Sequence, residues 1–176
     1  MNTFLEILKL TLPALIVFAT VYYMFRTYMN AQYAEAQLKK RKSENLKIIG
    51  IKLQAYERLI IFCERIHPQS LFLRLNAEGL SAKDIQTSMI LAIQQEYEFN
   101  LTQQLYVSSS LWKIILLAKD QTLNILSQTA DKLPPDERPE RLMEILRMVE
   151  MEMGGFPNEK AKYAIKQEAD ILLQIG

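Results

Sequence analysis

Sixteen consecutive residues, Leu10 to Phe25 (LTLPALIVFATVYYMF), carry no charge and are bounded by Lys9 and Arg26. No other feature constrains the chain as much. A membrane-spanning helix needs ~20 mostly apolar residues. Extended back to Phe4, the stretch has 22 residues, about 33 Å at the helical rise. Glu6 and Lys9 then fall near one end, at headgroup level, where the lysine stem can snorkel. Thr3 to Glu6 fits a capping box at the helix start. Pro13 lies inside the helix and is expected to kink it, which membrane helices tolerate. Tyr22, Tyr23 and Tyr28 crowd the far end as an aromatic belt does. The anchor residues named on this basis are Leu10, Pro13, Ile16, Phe18, Tyr22 and Tyr23. A cleaved signal peptide fits less well, because the residues before Leu10 are net neutral and the one small-x-small site, Ala34-Glu35-Ala36, lies too far on. A buried soluble helix is opposed by the length of the uncharged run.

The flanks set an orientation. Lys9 is the only basic residue before the stretch, whereas Arg26, Lys39, Lys40, Arg41, Lys42 and Lys47 follow it. The positive-inside rule therefore places the C-terminal portion in the cytoplasm. Cys63 is the single cysteine, which allows no internal disulfide and suits a reducing compartment.

The expected organisation is an anchor over residues 1–27, a polar helical spacer over 28–45 and a helical bundle over 46–176. The spacer, YMNAQYAEAQLKKRKSEN, has no Gly or Pro and continues the anchor helix for 18 residues, about 27 Å. Its basic run, Lys39, Lys40, Arg41 and Lys42, is a candidate contact for anionic lipid. The competing reading is a solvated, topology-setting charge run, since Lys39 lies about 20 Å beyond Arg26 on a straight helix. The net charge of +1 is unevenly spread: residues 26–66 hold nine basic and four acidic side chains, and residues 67–176 hold 11 and 15. The basic excess adjoins the anchor and the distal part is acidic, which speaks against a nucleic-acid partner.

From Leu46 the chain reads as all-α, a bundle of about four or five helices. Leu46, Ile49, Leu53, Tyr56, Ile60 and Cys63 form an a/d-like seam, with Phe62 and Ile66 adding a second apolar face. His67-Pro68 ends this helix. Gln69 to Gly79 reads as a packed connection, although Leu71, Leu73 and Leu75 alternate as in an extended strip. Ser81 to Asp84 caps a helix running to about Leu105, with Ile85, Met89, Ile93, Tyr97 and Leu101 inward. Ser108 to Ser110 starts the next helix, whose opening LWKIILLA makes it the candidate central helix, with Leu116 in its core. A helix from about Asp136 to Met153 turns Leu142, Ile145, Leu146, Val149 and Met153 inward and stops at Gly154-Gly155. Asn158 is expected to cap a last helix with Ala161, Ile165, Leu172 and Ile175 inward.

No catalytic, cofactor or metal motif stands out. His67 is the only histidine, which excludes a multi-histidine metal site. Cys63 and His67 are four apart on a helix and could pair as thiolate and imidazole; the blander reading makes Cys63 a small core hydrophobe and puts His67 at a helix C-terminus. Met143, Met148, Met151 and Met153 concentrate methionine in one helix, as core filling or as an adaptable binding surface. In the second case Glu144, Met148, Met151 and Glu152 are the partner contact.

The strings Tyr56-Glu57-Arg58-Leu59 through Glu64-Arg65-Ile66, and Glu96-Tyr97-Glu98 through Asn100-Leu101-Thr102-Gln103-Gln104 followed by Val107-Ser108, resemble an uncharacterised family of short bacterial membrane-anchored proteins. The resemblance covers most of the chain. It implies an N-terminal anchor in the bacterial inner membrane and a cytoplasmic helical domain, and brings no activity or site residues with it. The expectation is a non-enzymatic, single-pass adaptor or accessory subunit whose partners are the lipid bilayer and another membrane protein or complex, needing no cofactor. The alternatives are a structural homo-oligomer, joined through the anchor and the 46–63 seam, and an enzyme using Cys63.

Overall fold

The structure is a computed structural model that describes residues 2–75, 77, 79–134 and 136–175. The chain is all-helical, with no strand among the described residues. The helices are α1 (Asn2–Arg65), α2 (Pro68–Arg74), α3 (Ala82–Asn100), a 3-10 segment (Leu101–Leu105), α4 (Ser109–Ala130), α5 (Pro139–Met153) and α6 (Pro157–Ile175). Two units are distinguished, Met1–Lys47 and Ile48–Gly176.

The first unit is the N-terminal part of α1. Pro13 lies inside the helix, where its missing N–H removes one rung of the backbone ladder. The side chains of residues 1–10, and with them the Thr3–Glu6 capping box and Leu10, lie outside the described residues. From Leu12 to Phe25 the large apolar side chains are exposed, Phe18 at 69%.

The second unit buries one contiguous core. Leu59, Phe62 and Ile66 of α1 meet Leu71 of α2, Ile85, Met89 and Ile93 of α3, Ile115 and Leu126 of α4, Leu142 and Leu146 of α5, and Phe156, Ala161 and Ile165 of α6. Helix α4 packs against α3, α5 and α6, so the most apolar helix is indeed shared among three neighbours. The inward face within it differs from expectation. Leu111, Ile115, Ala118, Thr122 and Leu126 are buried, Leu116 is half-buried, and Leu117 is 57% exposed. A run apolar on all sides does not reveal its own inward stripe; the neighbouring helices select the face that holds Ile115 and Leu126.

Local chemistry sets the boundaries. Ser81 and Asp84 form the expected capping box: the Ser81 hydroxyl accepts the Asp84 N–H at 3.2 Å and the Ser81 N–H donates to the Asp84 carboxylate at 3.1 Å. Ser108 Oγ accepts the Leu111 N–H and starts α4. Helix α5 begins later than expected, with Pro139 in its first turn, and ends where Gly154 turns left-handed at φ +69°. Gly155 then donates back to Glu150 O at 2.9 Å, closing the helix end as a reversed glycine cap does.

Several expectations are corrected. The packed connection expected after His67 contains a helix over residues 68–74: Pro68 presets the first turn and His67 caps it, so Leu71 is buried while Leu73 points to solvent. The regular α3 helix stops at Asn100 and tightens into the 3-10 segment, which leaves Leu101 exposed rather than inward. Asn158 does not cap α6; it lies inside the first turn, fully buried, donating its amide to Cys63 O at 2.9 Å. Ile175 falls outside the described side chains.

Candidate functional site

The anchor residues Pro13, Ile16, Phe18, Tyr22 and Tyr23 all lie on the exposed part of α1. The basic run beyond them is also exposed, and half of it is engaged locally: Lys39 pairs with Glu35 at 2.7 Å and Lys40 with Glu44 at 4.0 Å, both one turn apart. Such exposed pairs contribute only ~0.3–0.5 kcal/mol each, too little to prevent either lysine from leaving for a stronger anion.

The 46–63 seam is divided. Leu46 is exposed and Ile49 and Leu53 are half-buried, but Tyr56 and Cys63 are closed inside the second unit. Burial pushes the Cys63 thiol up to about 12, against the opposing pull of the Lys162 cation. A thiol so held is protonated and inert. His67 is not its partner. Its Nδ1 accepts the Gln69 N–H at 3.2 Å, so the ring N–H sits on Nε2, facing Glu150 Oε1 at 3.3 Å. Its ring meets Phe156 edge-on. His67 stands at the C-terminal end of α1 as expected, its N–H donating to Glu64 O at 3.3 Å, and it caps the following helix as well.

Polar groups tie α1 to α6 and to the start of α4. The Tyr56 hydroxyl donates to Glu168 at 3.0 Å, and the Ser108 N–H and hydroxyl donate to the same carboxylate. Burial, reinforced by that hydrogen bond, pushes the Tyr56 phenol up to about 12. Lys162 bridges Glu64 and Glu159 at 2.6 Å each.

A groove runs between α1 and α3 of the second unit. Its volume is about 490 Å3, and Arg58, Ile61, Arg65, Gln95, Glu96, Phe99 and Asn100 line it. Arg65 and Arg74 converge on one oxygen of Glu96, at 2.6 and 3.2 Å. Arg74 also donates to Arg65 O at 2.7 Å. Glu96 is thus the hub of a two-arginine cluster, its side chain only 14% exposed; from sequence it reads as one surface carboxylate among many. Its partners come from α1 and α2, 31 and 22 residues away, a closure that no local pattern encodes. Arg58 lies over the Phe99 ring at 5.2 Å, and among the described residues it has no carboxylate partner. Ile61 and Phe99 stay exposed beside it. A second depression of about 450 Å3 adjoins at Arg58 and extends toward Ile51 and Tyr106.

On α5, Met143 is buried, but Met148, Met151 and Met153 are exposed, Met151 at 80%. The methionine concentration is therefore mostly surface, and Met153 is not inward. Glu144 and Glu152 are exposed on the same helix. Among the described residues no cluster of three or more His, Cys, Asp or Glu is placed to hold a metal ion.

These features define an all-helical protein with, among the described residues, one helix long and apolar enough to cross a membrane. The chain belongs to a family of unknown function, DUF7935, which matches residues 2–172. Comparison with curated proteins and with solved structures gives no match.

Proposed function

We propose that the chain is a non-enzymatic, membrane-tethered adaptor, or an accessory subunit of a larger membrane complex, of the bacterial inner membrane. It spans the bilayer once, with its helical domain in the cytoplasm, and works through protein contact on α5. The observation that carries the tether is the exposure of the large apolar side chains from Leu12 to Phe25. Water is a costly solvent for so much contiguous apolar surface, and a hydrocarbon phase removes that cost. The basic excess from Arg26 to Lys47 supports the orientation. The buried, protonated thiol of Cys63 supports a non-catalytic reading.

The contact is assigned to Glu144, Met148, Met151 and Glu152, where flexible thioethers stand between carboxylates at helical spacing. Methionine adapts its shape to a partner, and the carboxylates govern encounter rate and specificity. Charge reversal, Glu144→Arg with Glu152→Arg, is expected to deplete the proteins that copurify after mild detergent extraction while the thermal midpoint holds. The Arg141–Glu144 pair lost in this variant is a surface pair, contributing only ~0.2–0.5 kcal/mol. An unchanged set of copurifying proteins contradicts the assignment. For orientation, a Ser43→Cys chain is expected to resist a membrane-impermeant maleimide in intact cells and to react once they are permeabilised; labelling in intact cells reverses the topology.

A further inference from the structure

We infer that the α1–α3 groove receives the exposed ridge of α5 from a second copy of this chain. The inference rests on the α5 contact proposed above and names its partner. Three observations converge on it. The first is charge. The groove and its margin carry three guanidinium groups, Arg58, Arg65 and Arg74, against Glu96 and, in the adjoining depression, Glu57. Helix α5 carries four glutamates against two arginines. Arg58 is the cation without a carboxylate partner among the described residues, and its guanidinium already lies on the aromatic floor of the groove.

The second observation is spacing. Glu144, Met148, Met151 and Glu152 stand at i, i+4, i+7 and i+8, the pattern of a helix that lays one face into a groove. The thioethers would meet Ile61 and Phe99, both exposed in the single chain, and sulfur against an aromatic ring is a favourable contact. One of the outer carboxylates would reach Arg58, since Glu144 and Glu152 stand about 12 Å apart along α5. The third observation is length. The groove and the adjoining depression together follow α1 from Ile51 to Arg65, and α5 has 15 residues, so each is about 22 Å long.

Groove and ridge share no residue. The contact is therefore heterologous: each copy gives a ridge to one neighbour and a groove to another, which builds a ring or an open row. Copies tethered in one membrane meet at raised effective concentration, so a contact that is weak in dilute solution suffices there. This also removes the need for the 46–63 seam, whose lower half is filled by the chain's own core.

The test uses the full chain in a non-ionic detergent, with mass read by light scattering after subtraction of the micelle. The wild-type mass is expected to rise with protein concentration beyond one chain per micelle. Arg58→Glu alone, and Glu144→Arg with Glu152→Arg alone, are each expected to stay at one chain. Mixing the two variants is expected to restore assembly, because each then meets a complementary surface. A covalent readout covers the case in which a charge variant misfolds. Chains bearing Phe99→Cys and chains bearing Met151→Cys should join through a short bismaleimide when mixed, with neither joining to itself, since native Cys63 is buried. A wild-type chain that is single at every concentration, variants that still assemble alone, or joining confined to like chains overturns the inference. Loss of copurifying proteins in the ridge variant, beside a wild-type chain that never self-associates, retains the α5 contact and removes only the second copy as its partner.

Discussion

Cys63 concentrates the residue-scale argument. Its thiol is fully buried and pushed up to about 12 from the ordinary 9.0, so the folded state holds a proton that the unfolded chain gives up. Tyr56, pushed up to about 12 from 10.0, behaves in the same way. Lys162 adds to both: burial lowers its affinity for the proton, but hydrogen bonds to Glu159 and Glu64 outweigh that and hold it raised. All three groups contribute stability that is complete below their unfolded values and is lost as pH rises through the folded ones. The urea midpoint is expected to fall from about pH 9 upward, and Cys63→Ala is expected to flatten the first part of that fall. A midpoint level from pH 8 to 11 contradicts the burial of these groups. Maleimide should label the native thiol only in denaturant. Core position is tested in α4, where Leu126→Ala is expected to cost about 2–5 kcal/mol and Leu117→Ala under about 0.5 kcal/mol. Equal losses at both sites contradict the inward face assigned to α4. The apolar character of this helix was legible from its residues. The choice among Ile115, Leu116 and Leu117 was not, because it depends on where α3, α5 and α6 lie.

At the scale of elements, caps and glycines were legible and long-range pairings were not. Ser81 with Asp84, Ser108 before α4 and Gly154 after α5 are local signals, and each occupies the expected role. Ser81→Ala is expected to cost about 0.5–2 kcal/mol, read by chemical denaturation at neutral pH; no loss contradicts the cap. Hydrogen bonds from the Ser81 hydroxyl and backbone hold the Asp84 carboxyl below its usual range. Its contribution is present above the ordinary carboxylate value and lost as pH falls through the folded value. Asp84→Asn is expected to shallow the acid limb of the stability profile and to leave the alkaline limb unchanged. A wild-type acid limb in this variant removes the cap from the account. The short α2 escaped the sequence pattern because seven residues hold too few turns to show a period; His67-Pro68 reads as a stop for α1 and serves equally as a start for α2. The Glu96 cluster escaped for a different reason, since α1, α2 and α3 each supply one charge and only the tertiary fold brings them together.

For the molecule as a whole, the sequence divides its apolar residues into two kinds, and the structure treats them differently. Beyond Ile48, those on the inward faces of the helices recur at helical spacing and close into a core. Those from Leu12 to Phe25 have no polar face, and all the large side chains among them remain uncovered. The first pattern is satisfied by the chain itself, and the second belongs to the one candidate membrane span among the described residues. Membrane insertion through this stretch is the central claim, and one measurement addresses it most directly. Membranes from cells expressing the full chain are washed with high salt and then with concentrated urea, and the chain is followed in pellet and supernatant. Salt releases a protein held only by its basic run, and urea releases one held by folded contacts with other proteins. The account predicts that the wild-type chain stays in the pellet through both washes, and that Ile16→Arg with Phe18→Arg shifts it to the supernatant. A wild-type chain released by either wash contradicts the account.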